Sequence, residues 1–212
     1  MELIIKIALF APPVLLAITL HEVAHGWAAR YLGDPTAASL GRLSLNPIKH
    51  IDPVGTLLVP GILFVLGGFL FGWAKPVPVN VQRLNDPKRD MALVAAAGPA
   101  ANFVMAFMWA IAIKVGFMLE SDLARMILVE MGKVGLMINL ILMVLNLIPI
   151  PPLDGGRVLA GILPNKLSMA LVRIEPYGMF IIFGLLAMGV LSYFLQGPLT
   201  FFQTFITKTV GI

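Results

Sequence analysis

The chain has no cysteine and little charge. Only 12% of its 212 residues are charged, about half the fraction that an ordinary soluble domain carries. The absence of cysteine excludes disulfides and thiolate metal ligands. The shortage of charge excludes a soluble globular fold. No stretch is long and polar enough to form a separate soluble domain, so we expect a single domain over residues 1–212.

Long apolar runs take the place of the missing charge. Hydrophobic residues make up 59% of the chain, and several runs reach the roughly 20 residues that a helix needs to cross a bilayer. The net charge of +4 is best interpreted as basic loops on the cytoplasmic face and not as a nucleic-acid patch. We therefore expect an all-α polytopic membrane protein with about four full transmembrane helices, near residues 3–30, 92–118, 134–149 and 178–195.

The motif HEVAH, residues 21–25, lies at the end of the first apolar run. Residues four apart lie on one face of a helix, so His21 and His25 can hold one metal ion between them. Glu22 is placed to take a proton from a water molecule at that metal. This is the H-E-x-x-H arrangement of zinc hydrolases. The alternative is a pair of structural histidines beside a chance glutamate, but such groups are costly in lipid without a use.

A third ligand is needed to complete a catalytic zinc site. Asp154 follows two prolines, which end the preceding helix, and precedes two glycines, which open the backbone. A carboxylate in such an unwound segment is the third ligand that the histidines lack. The alternative for Asp154 is a helix cap before the glycines.

Two asparagines lie close to these motifs. Asn102 is in the first turns of the helix at 92–118, where a buried amide needs a partner. It is our candidate for hydrogen bonding the substrate backbone or the developing oxyanion. Asn146 lies one turn before Pro149, and we expect it to orient the site or the substrate backbone.

Whether Asp154 can lie near His21 and His25 depends on how the apolar segment 54–72 enters the membrane. If it crosses the membrane fully, Asp154 emerges on the face opposite the histidines. A full crossing would also place the basic loops 28–53 and 73–91 on opposite faces, against the positive-inside tendency. Pro60-Gly61 supplies a bend, so we predict that 54–72 is a re-entrant segment.

Two short stretches indicate extended structure. Residues 38–45 partly alternate between apolar and polar, which predicts a short strand or hairpin. Val77, Val79 and Val81 alternate with polar residues and proline, which predicts either an edge strand or a plain surface loop. An edge strand could align an extended peptide. We thus add a membrane-associated β-strand or hairpin region to the fold.

Three motifs together resemble those of the site-2 protease family of intramembrane metalloproteases. They are HEVAH at 21–25, GPAAN at 98–102 and NLIPIPPLDGG at 146–156, in the family's order. GWAKPVPVN further resembles small bacterial or archaeal members that lack PDZ and CBS domains. The resemblance implies a multi-pass protein of a prokaryotic cell membrane that cleaves substrate transmembrane helices in regulated intramembrane proteolysis.

The expected enzyme is thus a zinc metalloendopeptidase with one Zn²⁺ per chain, held by His21, His25 and Asp154, with Glu22 as the general base. Its partners are the lipid bilayer and a transmembrane protein substrate; the sequence predicts no nucleic-acid partner and does not specify the oligomeric state. Two other functions remain open at this point. Intramembrane His and Asp also mark metal transporters, and a relative without protease activity could serve as a scaffold.

Overall fold

A computed structural model describes residues 2–59, 61–62 and 72–212. Within these residues the chain is helical, with turns and extended loops between the helices. Three short single-turn elements, Pro47–His50, Pro53–Leu58 and Val81–Arg83, lie between the second and third helices. The α-helices are α1 (Glu2–Tyr31), α2 (Thr36–Ser39), α3 (Pro87–Phe117), α4 (Asp122–Asn146), α5 (Asp154–Ile162), α6 (Asn165–Ala187) and α7 (Val190–Val210).

Four of these helices, α1, α3, α4 and α6, are long and apolar enough to cross a membrane. The last two differ from the sequence-based expectation of spans at 134–149 and 178–195. Helix α4 begins earlier, at Asp122, and helix α6 runs from Asn165 to Ala187. Gly189, with φ +72°, separates α6 from α7. The reason is that glycine adopts a left-handed conformation that other residues resist.

The apolar core lies where α3, α4 and α7 meet. Ala106 and Ala110 of α3, Leu140 of α4 and Ile206 of α7 are completely buried there. Small residues on α3 let the neighbouring helix backbones approach closely, as is common where helices pack in membranes. This core fixes α4 against α3, and both helices carry polar side chains toward α1.

The end of α1 and the start of α3 lie at the same end of the bundle. The amide of Asn85 donates to the carbonyl of Leu32 across 3.0 Å, and Ala29, Leu84 and Val94 form a second buried apolar cluster. The chain between these helices therefore returns to the level at which it left α1.

The predicted re-entrant segment 54–72 falls largely on residue 60 and residues 63–71, which lie outside the described residues. Its flanks are described, and they are adjacent. The amide of Trp73 donates to the carbonyl of Gly55 at 3.0 Å, and the Thr56 hydroxyl donates to the carbonyl of Trp73 at 2.9 Å. The two flanks of the segment thus lie side by side.

The expected β-strand or hairpin region was wrong, because the described residues contain no strand. In the 38–45 stretch, α2 occupies the start, and a turn at Gly41 with φ +64° follows it. Residues 73–80 have no regular secondary structure, and Pro76 and Pro78 have no amide N–H to donate to a ladder. The amide of Val77 instead donates to the Glu22 side chain, and Val81 begins a 3₁₀ turn.

Candidate metal centre

Two imidazoles on α1 form the base of the site. His21 and His25 are one turn apart, 7% and 8% exposed, and their rings meet edge to face with centroids 4.7 Å apart. Their Nε2 atoms lie 3.1 Å from each other. The helical spacing alone accounts for this approach, since residues four apart on a helix lie on one face.

The hydrogen-bond partners of the two Nδ1 atoms determine the tautomers of both rings. Nδ1 of His21 lies 2.5 Å from Oδ1 of Asn102, and Nδ1 of His25 lies 2.7 Å from the carbonyl oxygen of Val94. Both partners are acceptors, so each neutral ring carries its proton on Nδ1. Each Nε2 then presents a lone pair toward the other, which is unfavourable unless a cation lies between them. Metal-binding histidines are held in the same way in other proteins.

Asp154 completes the group. Its Oδ2 lies 3.2 Å from Nε2 of His21 and 3.4 Å from Nε2 of His25. This oxygen is buried and has no hydrogen-bond donor, since both facing nitrogens are lone-pair atoms in the neutral tautomers. The three ligand atoms lie within 4.8 Å of one another. Two imidazole nitrogens and a carboxylate oxygen are a set that zinc accepts. His21, His25 and Asp154 are called the ligand group below.

The two glycines after Asp154 allow its position. A Cβ on Gly155 would lie 2.3 Å from the carbonyl oxygen of Leu147, and one on Gly156 would lie 2.4 Å from the nitrogen of Pro151. The first turn of α5 thus packs directly against the backbone of the 147–153 turn. Any side chain here would push α5, and Asp154 with it, away from α1.

The Glu22 side chain contacts the loop formed by residues 73–80. Its Oε2 accepts a hydrogen bond of 2.8 Å from the amide of Val77. No other hydrogen bond to the Glu22 carboxylate occurs among the described residues. One carboxylate oxygen is therefore held, and the other is left for a different partner.

Asn102 is completely buried, and both its side-chain oxygen and its side-chain nitrogen have hydrogen-bond partners. Its Oδ1 faces His21, and its Nδ2 donates to Oδ1 of Asn139 at 2.8 Å and to the carbonyl of Ala17 at 3.4 Å. Asn146, in contrast, is half-buried and donates to the carbonyl of Leu142 one turn earlier at 3.0 Å. Asn146 has no hydrogen bond to the ligand group.

Sequence reasoning missed one residue at this site, Asn139, and included Gly98 only as part of the GPAAN motif, without a role of its own. Asn139 is completely buried in an apolar stretch of α4. The principle that drew attention to Asn102, that a buried amide needs a partner, applies equally to Asn139. His50 was not counted as a ligand, and it lies outside the ligand group. Its Nε2 donates to the carbonyl of Ser44 at 2.8 Å.

The chain is similar in sequence to known proteins. The model of peptidase family M50 matches residues 110–189. "Putative zinc metalloprotease YwhC" of Bacillus subtilis is 36% identical over 189 residues, covering 88% of this chain and 83% of that protein. "Putative zinc metalloprotease Rip2" of Mycolicibacterium smegmatis is 31% identical over 172 residues, covering 81% of this chain but 64% of that longer protein. No solved structure matches the chain.

Four helices that are long and apolar enough to cross a membrane, a His-His-Asp group that could hold a metal ion, and this similarity together indicate a zinc metalloprotease of the membrane. The chain belongs to peptidase family M50, and the expected membership of the site-2 protease family is confirmed. It is an intramembrane zinc metalloprotease, a multi-pass protein of a prokaryotic membrane that acts on a protein substrate.

Proposed function

We propose that the enzyme hydrolyses peptide bonds within or near transmembrane segments of membrane proteins. The observation that carries this proposal is the ligand group itself, with three lone-pair atoms converging inside a helix bundle whose α1 is apolar enough to span the bilayer. A peptide bond in a substrate helix is hidden in the helix's own hydrogen bonds. It must be unwound before attack, and in lipid the freed groups need partners.

In this proposal His21, His25 and Asp154 hold one zinc ion. Zinc, when bound by three protein ligands, activates a water molecule and polarises the scissile carbonyl. The Asn102 and Val94 oxygens keep the protons of both imidazoles on Nδ1, away from the metal side of the rings. Asp154 contributes the negative charge that balances the cation.

Glu22 is the proposed general base. The amide of Val77 holds Oε2, and the proline on each side of Val77 limits how far that amide can move. The Oε1 atom is then the one that accepts the proton of the attacking water and later returns it to the leaving amine. A base with one oxygen tied down presents the other in a narrow range of directions, which favours proton transfer.

We propose different roles for the two asparagines. Both side-chain atoms of Asn102 are committed to protein partners, which favours a positioning role toward His21 over contact with the substrate. Oδ1 of Asn146 has no protein partner among the described residues, and Asn146 ends α4 just before the turn to Asp154. We therefore propose that Asn146, which was expected to orient the site or the substrate backbone, acts on the substrate backbone.

The test uses the purified full chain in lipid vesicles with a panel of single-span substrate proteins. We expect chelator-sensitive cleavage within or near the spanning segment. We expect Glu22→Gln to keep one zinc per chain and to lose at least about 100-fold in rate, as removal of a general base does. Glu120→Gln, at an exposed glutamate between α3 and α4, is the matched control and should cleave normally. Full activity of Glu22→Gln, or cleavage that resists the chelator, would overturn the assignment.

A further inference from the structure

A second buried amide, that of Asn139, lies one hydrogen bond further from the ligand group than Asn102 does. Asn139 is on α4, has no exposed surface and is surrounded by apolar residues of that helix. Burying an amide costs free energy unless its hydrogen bonds are made. Asn139 makes two, one to Asn102 and one to the carbonyl of Gly135 in its own helix, both at 2.8 Å.

These two hydrogen bonds have a fixed direction. A backbone carbonyl can only accept, so Gly135 requires the NH₂ group of Asn139 on its side. The oxygen of Asn139 must then face Asn102 and accept from its NH₂ group. Asn102 in turn presents its oxygen to Nδ1 of His21, at 2.5 Å. Two carbonyls therefore set the direction of these bonds: that of Gly135 acts through Asn139, and that of Ala17 accepts a longer bond of 3.4 Å directly from Nδ2 of Asn102.

His25 needs no such support. Its Nδ1 donates to the backbone carbonyl of Val94, which cannot reverse its polarity. The partner of His21 is a side-chain amide, and a half-turn of that amide would present NH₂ to the ring. The ring would then carry its proton on Nε2, the atom that faces His25 and Asp154, and could not bind a metal there.

We propose that Asn139 is a positioning residue for the metal site: it holds Asn102 in the one orientation that keeps the Nε2 atom of His21 free to bind zinc. This inference rests on the proposed function, in which His21 is a zinc ligand. Loss of a group that orients a metal ligand typically costs 10–100-fold in metal affinity. Asn139 acts one bond further out, and we expect about a 10-fold loss.

The first measurement is the affinity for Zn²⁺ itself, by competition with a chelator of known affinity. Asn139→Leu, which is similar in size and makes no hydrogen bond, should bind Zn²⁺ about 10-fold more weakly than the wild type. Asn139→Asp, whose carboxyl is protonated in an apolar site, can still donate to Gly135 and accept from Asn102. It should stay within about 3-fold of the wild type.

The control is Leu140→Ala, at the next residue of the same helix. Leu140 is also completely buried, but it belongs to the apolar core. This change should lower the melting temperature and leave the affinity for Zn²⁺ unchanged. Equal loss of affinity in Leu140→Ala and Asn139→Leu would reduce the effect to packing and overturn the inference.

The second measurement reads the tautomers directly. The chain has three histidines, so a spectrum of the zinc-loaded protein labelled with ¹⁵N-histidine is simple. At a pH where all three are neutral, His21 and His25 should carry the proton on Nδ1, and His50, which donates to Ser44 through Nε2, should carry it on Nε2. In Asn139→Leu we expect His21 alone to become a mixture.

The outcomes separate the two proposals. Wild-type affinity for Zn²⁺ and an unchanged His21 tautomer in Asn139→Leu would refute the role of Asn139 while leaving the zinc site intact. Failure of the wild-type protein to bind Zn²⁺ would instead refute the proposed function. Should Asn139→Leu fold poorly, Asn139→Asp still decides the matter, because an affinity far below that of the wild type in this folded variant would contradict the inference.

Discussion

Gly98 of α3 lies against the ring of His25. A Cβ on Gly98 would come within 2.5 Å of Cε1 and Nε2 of His25. The same added atom would lie 2.6 Å from Cε1 of His21. The two imidazoles thus pack against the backbone of α3, and the single glycine of the GPAAN motif leaves the space in which they approach Asp154.

We predict that Gly98→Ala weakens zinc binding. The added methyl must displace at least one ring, and overpacking of this kind costs about 1–3 kcal/mol. If that cost falls on the metal-binding geometry, the affinity for Zn²⁺ drops by about 5- to 100-fold. Chelator competition on the purified protein measures this affinity.

The matched control is Gly116→Ala, at another glycine of α3 in close contact. Its Cβ would lie 2.8 Å from Cγ2 of Val129, away from the ligand group. This variant should lose thermal stability and keep its affinity for Zn²⁺. A Gly98→Ala protein that binds Zn²⁺ as tightly as the wild type would show that the rings move aside at no cost.

The sequence predicted the parts of the site that depend on local periodicity. Four-residue spacing puts His21 and His25 on one face, and the need for a third ligand indicated Asp154; the structure brings all three together. The sequence did not predict which contacts between helices hold the ligand group in place. The contacts of Gly98 and Asn139 join α3 to α1 and α4, and no local pattern specifies which face of one helix meets another.

The strand prediction was wrong for a related reason. The alternating valines at 77–81 do favour extended backbone, and the backbone of Asn80 is extended, but residues 73–80 form no regular secondary structure. A strand also requires a neighbour whose carbonyls accept its amides. Here the amides of Val77 and Asn80 bind the carboxylates of Glu22 and Asp34, and neither partner could be inferred from periodicity alone.

Asp34 fixes residues 73–80 to the end of α1, and we predict that this attachment weakens in acid. It is completely buried; its Oδ1 accepts from the Thr36 amide at 3.0 Å and from the Thr36 hydroxyl, and its Oδ2 accepts from the Asn80 amide at 2.6 Å. Burial by itself raises the pKa of Asp34. These hydrogen bonds and the nearby Arg83 charge outweigh burial and hold the pKa below its usual value.

A carboxylate with a lowered pKa in the folded state stabilises the fold above its unfolded pKa of about 3.9, and the contribution disappears as the pH falls through the lower, folded value. The Asn80 amide should therefore be strongly protected from hydrogen exchange at pH 7, and its protection factor, which corrects for the intrinsic pH dependence of exchange, should fall only in strong acid. Asp34→Asn should exchange faster even at pH 7, because its NH₂ group must face one of the donors, at a cost of about 1–3 kcal/mol. Equal protection of Asn80 in both proteins at pH 7 would contradict the role of Asp34.

A proline at position 77 tests whether the backbone N–H of Val77 orients Glu22. We predict that Val77→Pro, which deletes the N–H that binds Glu22, lowers kcat about 10- to 100-fold. A hydrogen bond to a charged group is worth about 1.5–3 kcal/mol, and here it directs the proposed base. Zinc content should not change, because Val77 makes no hydrogen bond to the ligand group.

Val77→Ala is the control, since it keeps the N–H and removes two methyl groups. The Val77 side chain is 7% exposed and packs over Gly26, where a Cβ would lie 2.9 Å from its Cγ1. Any loss caused by poorer packing of residues 73–80 therefore appears in both variants and can be subtracted. A kcat for Val77→Pro equal to that of Val77→Ala would show that Glu22 finds its orientation without the amide. A selective loss in Val77→Pro at constant zinc content would place the backbone of residues 73–80 among the groups that position the base.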